Sequence, residues 1–310
     1  MKEDLYLLFL SFFLLLLVND AFSQKSNWHN TNAISTFNMF REPSYISALG
    51  GIGNIEPLIF EGDIAPYYIL SLNPENRWGI ELSPRIIIRM YNKHSYPVRT
   101  PSYMPRATFF YQIIDNTGQK KDWFTYFSWC HHSNGQDGSF YYEADSTKIN
   151  TYSGNFSTNL FEGGIFMSRP EKKKPYVINY LKLSASYHYK QNPEIRKLYG
   201  RLRFFADYQS SVDLSKILKK FSNPSVKYHK GNINQMIRLG WIAGSMPDAN
   251  DFDFKRRLVF RYTLSYKPSF FNDVTIFAQY YYGQDYYNIY FNRTLSLFRV
   301  GIAAKTSIFN

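Results

Sequence analysis

One pattern constrains this chain more than any other. Apolar and polar residues alternate with period two, over segments of about ten residues, almost from end to end. Leu181, Leu183, Ala185, Tyr187 and Tyr189 alternate with Lys182, Ser184, Ser186, His188 and Lys190. Leu258, Phe260, Tyr262, Leu264 and Tyr266 alternate with Val259, Arg261, Thr263, Ser265 and Lys267, and Phe298, Val300, Ile302 and Ala304 with Arg299, Gly301, Ala303 and Lys305. Only a strand throws successive side chains to opposite faces, so one face is apolar and aromatic and the other polar and often charged. Turn-forming runs punctuate the segments, among them Asn73-Pro74-Glu75-Asn76, Asp115-Asn116-Thr117-Gly118 and Ser168-Arg169-Pro170. No amphipathic helical stretch exceeds a few turns.

The exception is the N-terminus. Leu5 to Val18 is apolar but for one serine. Such a run is too short to span a bilayer as a helix and has the length of a signal-peptide core. Ala21 and Ser23 supply small residues at −3 and −1, which places cleavage after Ser23 and makes 1–23 a signal peptide. The remaining segment, 24–310, reads as one domain of 287 residues with a net charge of +14. That surplus suits anionic lipid head groups or lipopolysaccharide phosphates, whereas an exported chain rarely meets nucleic acid.

An exported, alternating chain could be a soluble sandwich or a membrane barrel. The segments are long for soluble strands and match the roughly 9–11 residues of a tilted spanning strand. Aromatics, 59 in all, crowd the segment ends, as interfacial girdles require. The lone Cys130 excludes an internal disulfide and a cysteine-built zinc site. Closure also removes every unpaired edge, the condition for strands in hydrocarbon. Strands are expected near 56–71, 78–91, 107–114, 122–133, 157–168, 175–190, 200–213, 236–245, 256–267, 274–284 and 295–309, with one more within 33–50. This predicts an all-β, antiparallel transmembrane β-barrel of about 12 strands in the outer membrane of a Gram-negative bacterium.

The segment 123–135 carries the chemistry. Trp123, Thr125, Phe127, Trp129, His131 and Ser133 share one face, and Phe124, Tyr126, Ser128, Cys130 and His132 the other. The first face reads as a lipid-facing wall that turns polar at its last two positions. Residues two apart on one face lie about 6.6–6.8 Å apart at Cα. That spacing lets a histidine nitrogen and a serine hydroxyl meet, the nucleophile–base pair of acyl transfer.

His131-His132-Ser133-Asn134-Gly135 resembles the H-x-S-N-G signature of the outer-membrane phospholipase A family. Ser95-Tyr96-Pro97-Val98-Arg99, followed by Tyr103-Met104-Pro105, is similar to that family's S-x-P-x-R…Y-x-P segment, and Phe277 through Ile302 resembles its closing hairpin. The resemblance implies a Ser-His-Asn triad on the outer wall of a twelve-stranded barrel, with phospholipid as substrate. Ser133 then matches the nucleophile and His131 the general base, while His132 faces the lumen. The family's S-W-N-R run is absent. Asn159 is the preferred third member, since it leaves a strand of proper length before Ser168 with Phe161, Ile165 and Met167 on its face. Asn155 has the same parity and is the alternative.

The resemblance further implies calcium and a homodimer that is the active form. The Gln136 backbone carbonyl matches one calcium ligand and Ser95 the hydroxyl given by the partner subunit. Asp137, Ser139, Glu143, Asp145 and Ser146 remain candidates for the rest of the set. The expected activity is that of a phospholipase A1, with A2 and lysophospholipase action. Two other readings are a non-enzymatic channel or structural barrel, which does not explain H-x-S-N-G, and a lipid A deacylase, whose barrels are about half as long.

Overall fold

A computed structural model describes residues 41–53, 56–70, 77–95, 97–114, 122–143, 147–170, 177–213, 231–247, 249–268, 271 and 274–304. The expected signal peptide lies outside the described residues, as do Asp145 and Ser146.

Thirteen strands are described: β1 (Ser44–Ala48), β2 (Leu58–Ile64), β3 (Tyr68–Leu70), β4 (Trp78–Tyr91), β5 (Ser102–Ile114), β6 (Asp122–Ser133), β7 (Ser157–Pro170), β8 (Val177–Tyr189), β9 (Leu202–Asp213), β10 (Gly231–Ala243), β11 (Leu258–Pro268), β12 (Val274–Gln284) and β13 (Thr294–Ala304). All described pairings between strands are antiparallel. From β4 to β13 each strand pairs with its sequence neighbours, β1 bridges β13 and β2, and β2 pairs with β4, so the sheet closes on itself. The short β3 continues the line of β2 along β4 after a break at Ala65-Pro66-Tyr67, where Pro66 has no N–H to give the ladder. The closed ring therefore has twelve positions among the described residues, with β3 as the extra piece.

Two strand boundaries differ from the sequence expectation for physical reasons. β5 begins at Ser102, not at 107, although Pro105 lies inside it. Pro105 sits opposite Pro84 of β4 in a non-hydrogen-bonded pair, since the hydrogen-bonded positions of this ladder are even-numbered in β5, as the Gln112 N–H bond to the Arg77 carbonyl shows. The β4–β5 ladder therefore loses no bond there. β10 begins at Gly231 rather than 236, because Asn232 and Asn234 extend a ladder that apolar periodicity does not mark. Residues 305–309, expected within the last strand, lie outside the described residues.

The barrel is apolar outside and polar inside. Phe127, Ile165, Leu183, Phe204, Leu239, Leu264 and Val300 are exposed, whereas Glu61, Arg89, Asp207 and Arg299 are buried. This inverts a soluble protein and is what lipid solvation demands of a spanning barrel. Buried charges persist because they are paired. Glu61 lies between Arg89 (2.7 Å) and Arg299 (2.5 Å), and Arg89 also binds Asp285. Asp63 holds Arg85, Glu162 holds Arg106 and Lys182, and Asp207 holds Arg238.

Apolar clusters lie on either side of this charged layer. Phe110, Phe124, Tyr126, Phe166 and Tyr180 pack at one end, with Phe124 stacked on Phe166 at 4.7 Å. The connections 134–156, 190–201 and 285–293 all leave the other end, where β6 finishes. Their Phe140, Phe156, Ile195, Tyr199, Tyr287, Ile289 and Phe291, with Ile87, form a stopper in the mouth. Burial holds the Tyr286 phenol up at about 12, with Glu61 beside it adding to the shift, so it stays protonated and donates to Glu61 at 2.7 Å.

Candidate active site

The site stands where β6 and β7 meet this stoppered rim. The β6–β7 register sets His131 opposite Asn159 and Ser133 opposite Ser157. Just past the strand end, the Asn134 N–H donates to the Phe156 carbonyl, so the even-numbered residues of β6 face β7 through hydrogen-bonded pairs. His131 and Asn159 thus form a non-hydrogen-bonded pair, the kind in which Cα atoms approach to about 4.5 Å and side chains run closest. His131 Nδ1 lies 2.9 Å from Asn159 Oδ1. An amide oxygen only accepts, so Nδ1 carries the proton and Nε2 keeps its lone pair.

Ser133 is on the same face, two residues on. No hydrogen bond joins it to His131 among the described residues. In resting sites such bonds often tighten only with substrate. All three side chains are half-buried. Below them is an aromatic wall. The Trp129 indole donates to the Tyr189 hydroxyl at 2.8 Å, Tyr189 stacks on Phe161 at 4.4 Å, and Phe161 on Phe127 at 5.3 Å. His132 points inward onto Phe156, as parity requires.

The other sequence candidates are placed as follows. Asn155 does not reach His131. Its N–H donates to the Gly138 carbonyl, and its own carbonyl accepts from Asn192. Of the two asparagines left open by parity, the fold brings Asn159 to the histidine. The Gln136 side chain is tied to Thr100 Oγ1 at 3.0 Å, while Ser95 is exposed in the β4–β5 connection. Asp137, Ser139 and Glu143 are exposed. Among the described residues no three His, Cys, Asp or Glu side chains converge as a metal cluster. Oxygen donors are what calcium requires, and Gln136, Asp137 and Ser139 supply only oxygens at their carbonyls, carboxylate and hydroxyl. The donor chemistry therefore fits calcium.

Three contributors were not legible as such in the sequence. Asn134 is buried and works as a brace. Its Oδ1 accepts from the N–H groups of Gln136 (3.2 Å) and Phe156 (3.0 Å), and its Nδ2 donates to the Gly154 carbonyl (2.8 Å). It locks the end of β6 to the start of β7. Gly135 follows with φ of 68°, a left-handed turn that suits glycine. Pro105 of β5 faces His131 by the register that pairs Tyr103 with Ser133 and Arg106 with Cys130. Lacking an N–H, it offers nothing to the His131 carbonyl, and the Cys130 thiol sits 3.6 Å from that oxygen instead.

Fold and site define a class: a closed transmembrane β-barrel with a serine and a histidine–asparagine pair on its lipid-facing wall. Solved structures of outer-membrane phospholipase A share this fold. The Escherichia coli enzyme matches with a TM-score of 0.52 at 13% identity, over 86% of this chain and 91% of its own. A Salmonella typhi dimer with bound calcium matches with 0.50 at 15% identity, again over 86% and 91%. An active-site mutant of the E. coli protein, with an asparagine replaced by alanine, matches with 0.53 at 13% identity, over 87% and 91%. No protein-family model and no curated protein sequence matches the chain. At these identities the likeness is one of fold.

Proposed function

We propose that this chain is a calcium-dependent outer-membrane phospholipase A1, with A2 and lysophospholipase action, that is active as a homodimer. The observation that carries the reading is the His131–Asn159 hydrogen bond on the lipid-facing wall, with Ser133 two residues along the same face. Three structural neighbours are named as outer-membrane phospholipase A, one of them a calcium-bound dimer and one an active-site asparagine mutant.

In this reading Ser133 Oγ attacks the carbonyl carbon of a phospholipid ester while His131 Nε2 takes its proton. Asn159 fixes the imidazole tautomer and orients the ring as the imidazolium forms. A neutral asparagine does this without an unpaired carboxylate beside hydrocarbon. Collapse of the intermediate expels the lysophospholipid oxygen, which His131 protonates. Water then attacks the acyl–Ser133 ester, His131 taking and returning the proton, and fatty acid leaves. The Gln136 carbonyl, with the Ser95 hydroxyl of a second copy, would hold calcium. Bound there, calcium supplies positive charge near the developing oxyanion. Dimerisation would then switch the enzyme on, because the Ser95 hydroxyl in the set comes from the second copy. The plugged lumen favours this reading over that of an open channel.

The test is fatty-acid release from phospholipid by detergent-refolded protein, with calcium and with chelator, beside Ser133→Ala. Calcium-dependent release absent from the variant is the expected result. Equal inertness of both proteins, with heat-modifiable migration showing folded barrels, would overturn the proposal.

A further inference from the structure

Between the two apolar clusters, the described residues enclose two lumenal chambers that share Glu42, Arg85 and Arg238. Their charges differ. The chamber towards the opposite end carries three carboxylates, Glu42, Glu81 and Glu162, among its five cations. The chamber beneath the stopper, about 160 Å³ in volume, is lined by Arg85, Arg203, Arg238, Arg261 and Arg299 against, among the described residues, the single carboxylate of Glu42.

The acids behind this second chamber are already engaged. Asp63 holds Arg85, Asp207 holds Arg238 and Glu61 holds Arg299. Glu42 is shared between Arg261, through both terminal nitrogens at 3.0 and 2.8 Å, and Arg238 at 3.2 Å. Arg203 alone of the five has no carboxylate partner among the described residues. Its Nη2 is satisfied by neutral oxygens, Gln284 Oε1 at 2.7 Å and the Tyr199 carbonyl at 3.0 Å. The Nε atoms of both Arg203 and Arg261 are buried with no acceptor among the described residues. A half-buried guanidinium without a carboxylate and two orphaned buried donors are costly, so a compensating acceptor is expected.

We propose that this chamber binds one small tetrahedral oxyanion, of the phosphate or sulfate type. Guanidinium forks match such oxygens two at a time, and Arg203, which lines the chamber without a carboxylate of its own among the described residues, is the anchor such an anion would take. The volume accommodates an oxyanion with a few waters. A phospholipid head group is excluded as occupant, since the closed wall separates the chamber from lipid. The site is remote in role from His131 and Ser133, which lie on the outer face. The anion would act as an internal counterion that pins β9 to β11 beneath the stopper.

The experiment is equilibrium dialysis of refolded barrel in nonionic detergent against radiolabelled inorganic phosphate at fixed ionic strength, with unlabelled sulfate as competitor. One saturable, sulfate-displaceable phosphate per chain is expected, weakened about tenfold or more in Arg203→Met. Arg203→Lys keeps the charge but lacks the fork and should also bind more weakly. It serves where the methionine variant loses heat-modifiable migration. Absence of saturable binding to the wild type, meaning the donors are met by water alone, would overturn the site. So would equal affinity in the folded variants.

Discussion

His131 and Asn159 face each other across a non-hydrogen-bonded pair of the β6–β7 ladder, Nδ1 2.9 Å from Oδ1. Their contact depends on strand register alone. If Asn159 orients the imidazole, Asn159→Ala should lower kcat by roughly 10²-fold or more while moving KM little. Asn155→Ala, whose side chain is remote from the histidine, should stay within about twofold of wild type. Steady-state hydrolysis of a soluble ester in mixed micelles separates the two. Equal effects of both substitutions would refute the assignment.

Asn134 should matter through structure. Replacing it with alanine removes three hydrogen bonds and strands the buried Phe156 N–H. A loss of roughly 3 kcal/mol is expected. It would be read as a lowered urea midpoint in detergent, with activity falling because the 134–156 connection loses its anchor. An unchanged midpoint would argue against the brace.

The inverted surface makes a prediction that no soluble barrel would share. Leu183 is exposed mid-strand on β8. Leu183→Arg should cost about 2–4 kcal/mol in a bilayer-based unfolding experiment, as expected for arginine near the membrane midplane. In a soluble barrel an arginine at so exposed a position would be neutral.

Glu61 is the keystone of the lumenal layer. It accepts from Arg89 (2.7 Å), Arg299 (2.5 Å), Tyr45 (2.6 Å) and Tyr286 (2.7 Å). Glu61→Gln leaves two buried guanidiniums short of charge and should destabilise by roughly 3–5 kcal/mol. Activity per folded molecule should be retained, since the outer-wall residues are untouched. Denaturation curves and specific activity of the heat-modifiable fraction test the two halves.

Chelation is expected to abolish hydrolysis reversibly while leaving the barrel folded, because continuous backbone ladders between strands close the ring. Ser95→Ala should raise the calcium needed for half-maximal rate by about tenfold or more. Calcium titration of initial rates, with cross-linking to follow dimers, checks both. A calcium optimum unaltered in Ser95→Ala would remove Ser95 from the ligand set.

Period two in the sequence determined that this chain is built of strands, and segment length with aromatic segment ends pointed to a barrel. It also determined which residues look outward, because parity is local: Leu183 and Val300 outside, Lys182 and Arg299 inside. The H-x-S spacing placed His131 and Ser133 on one face for the same reason. Register is another matter. A slip of two or four residues preserves parity, so parity could not separate Asn155 from Asn159, and strand length was all that favoured Asn159 in the sequence. The Asn134 contacts with Gly154 and Phe156 decided between them, across a loop whose path cannot be read from its length. The lumenal partners were equally hidden. Arg299 and Glu61 are 238 residues apart, and only closure of the ring brings them within hydrogen-bonding distance. Pattern along a strand is set by each residue's own surroundings, whereas pairing between strands is set by the whole sheet closing at once.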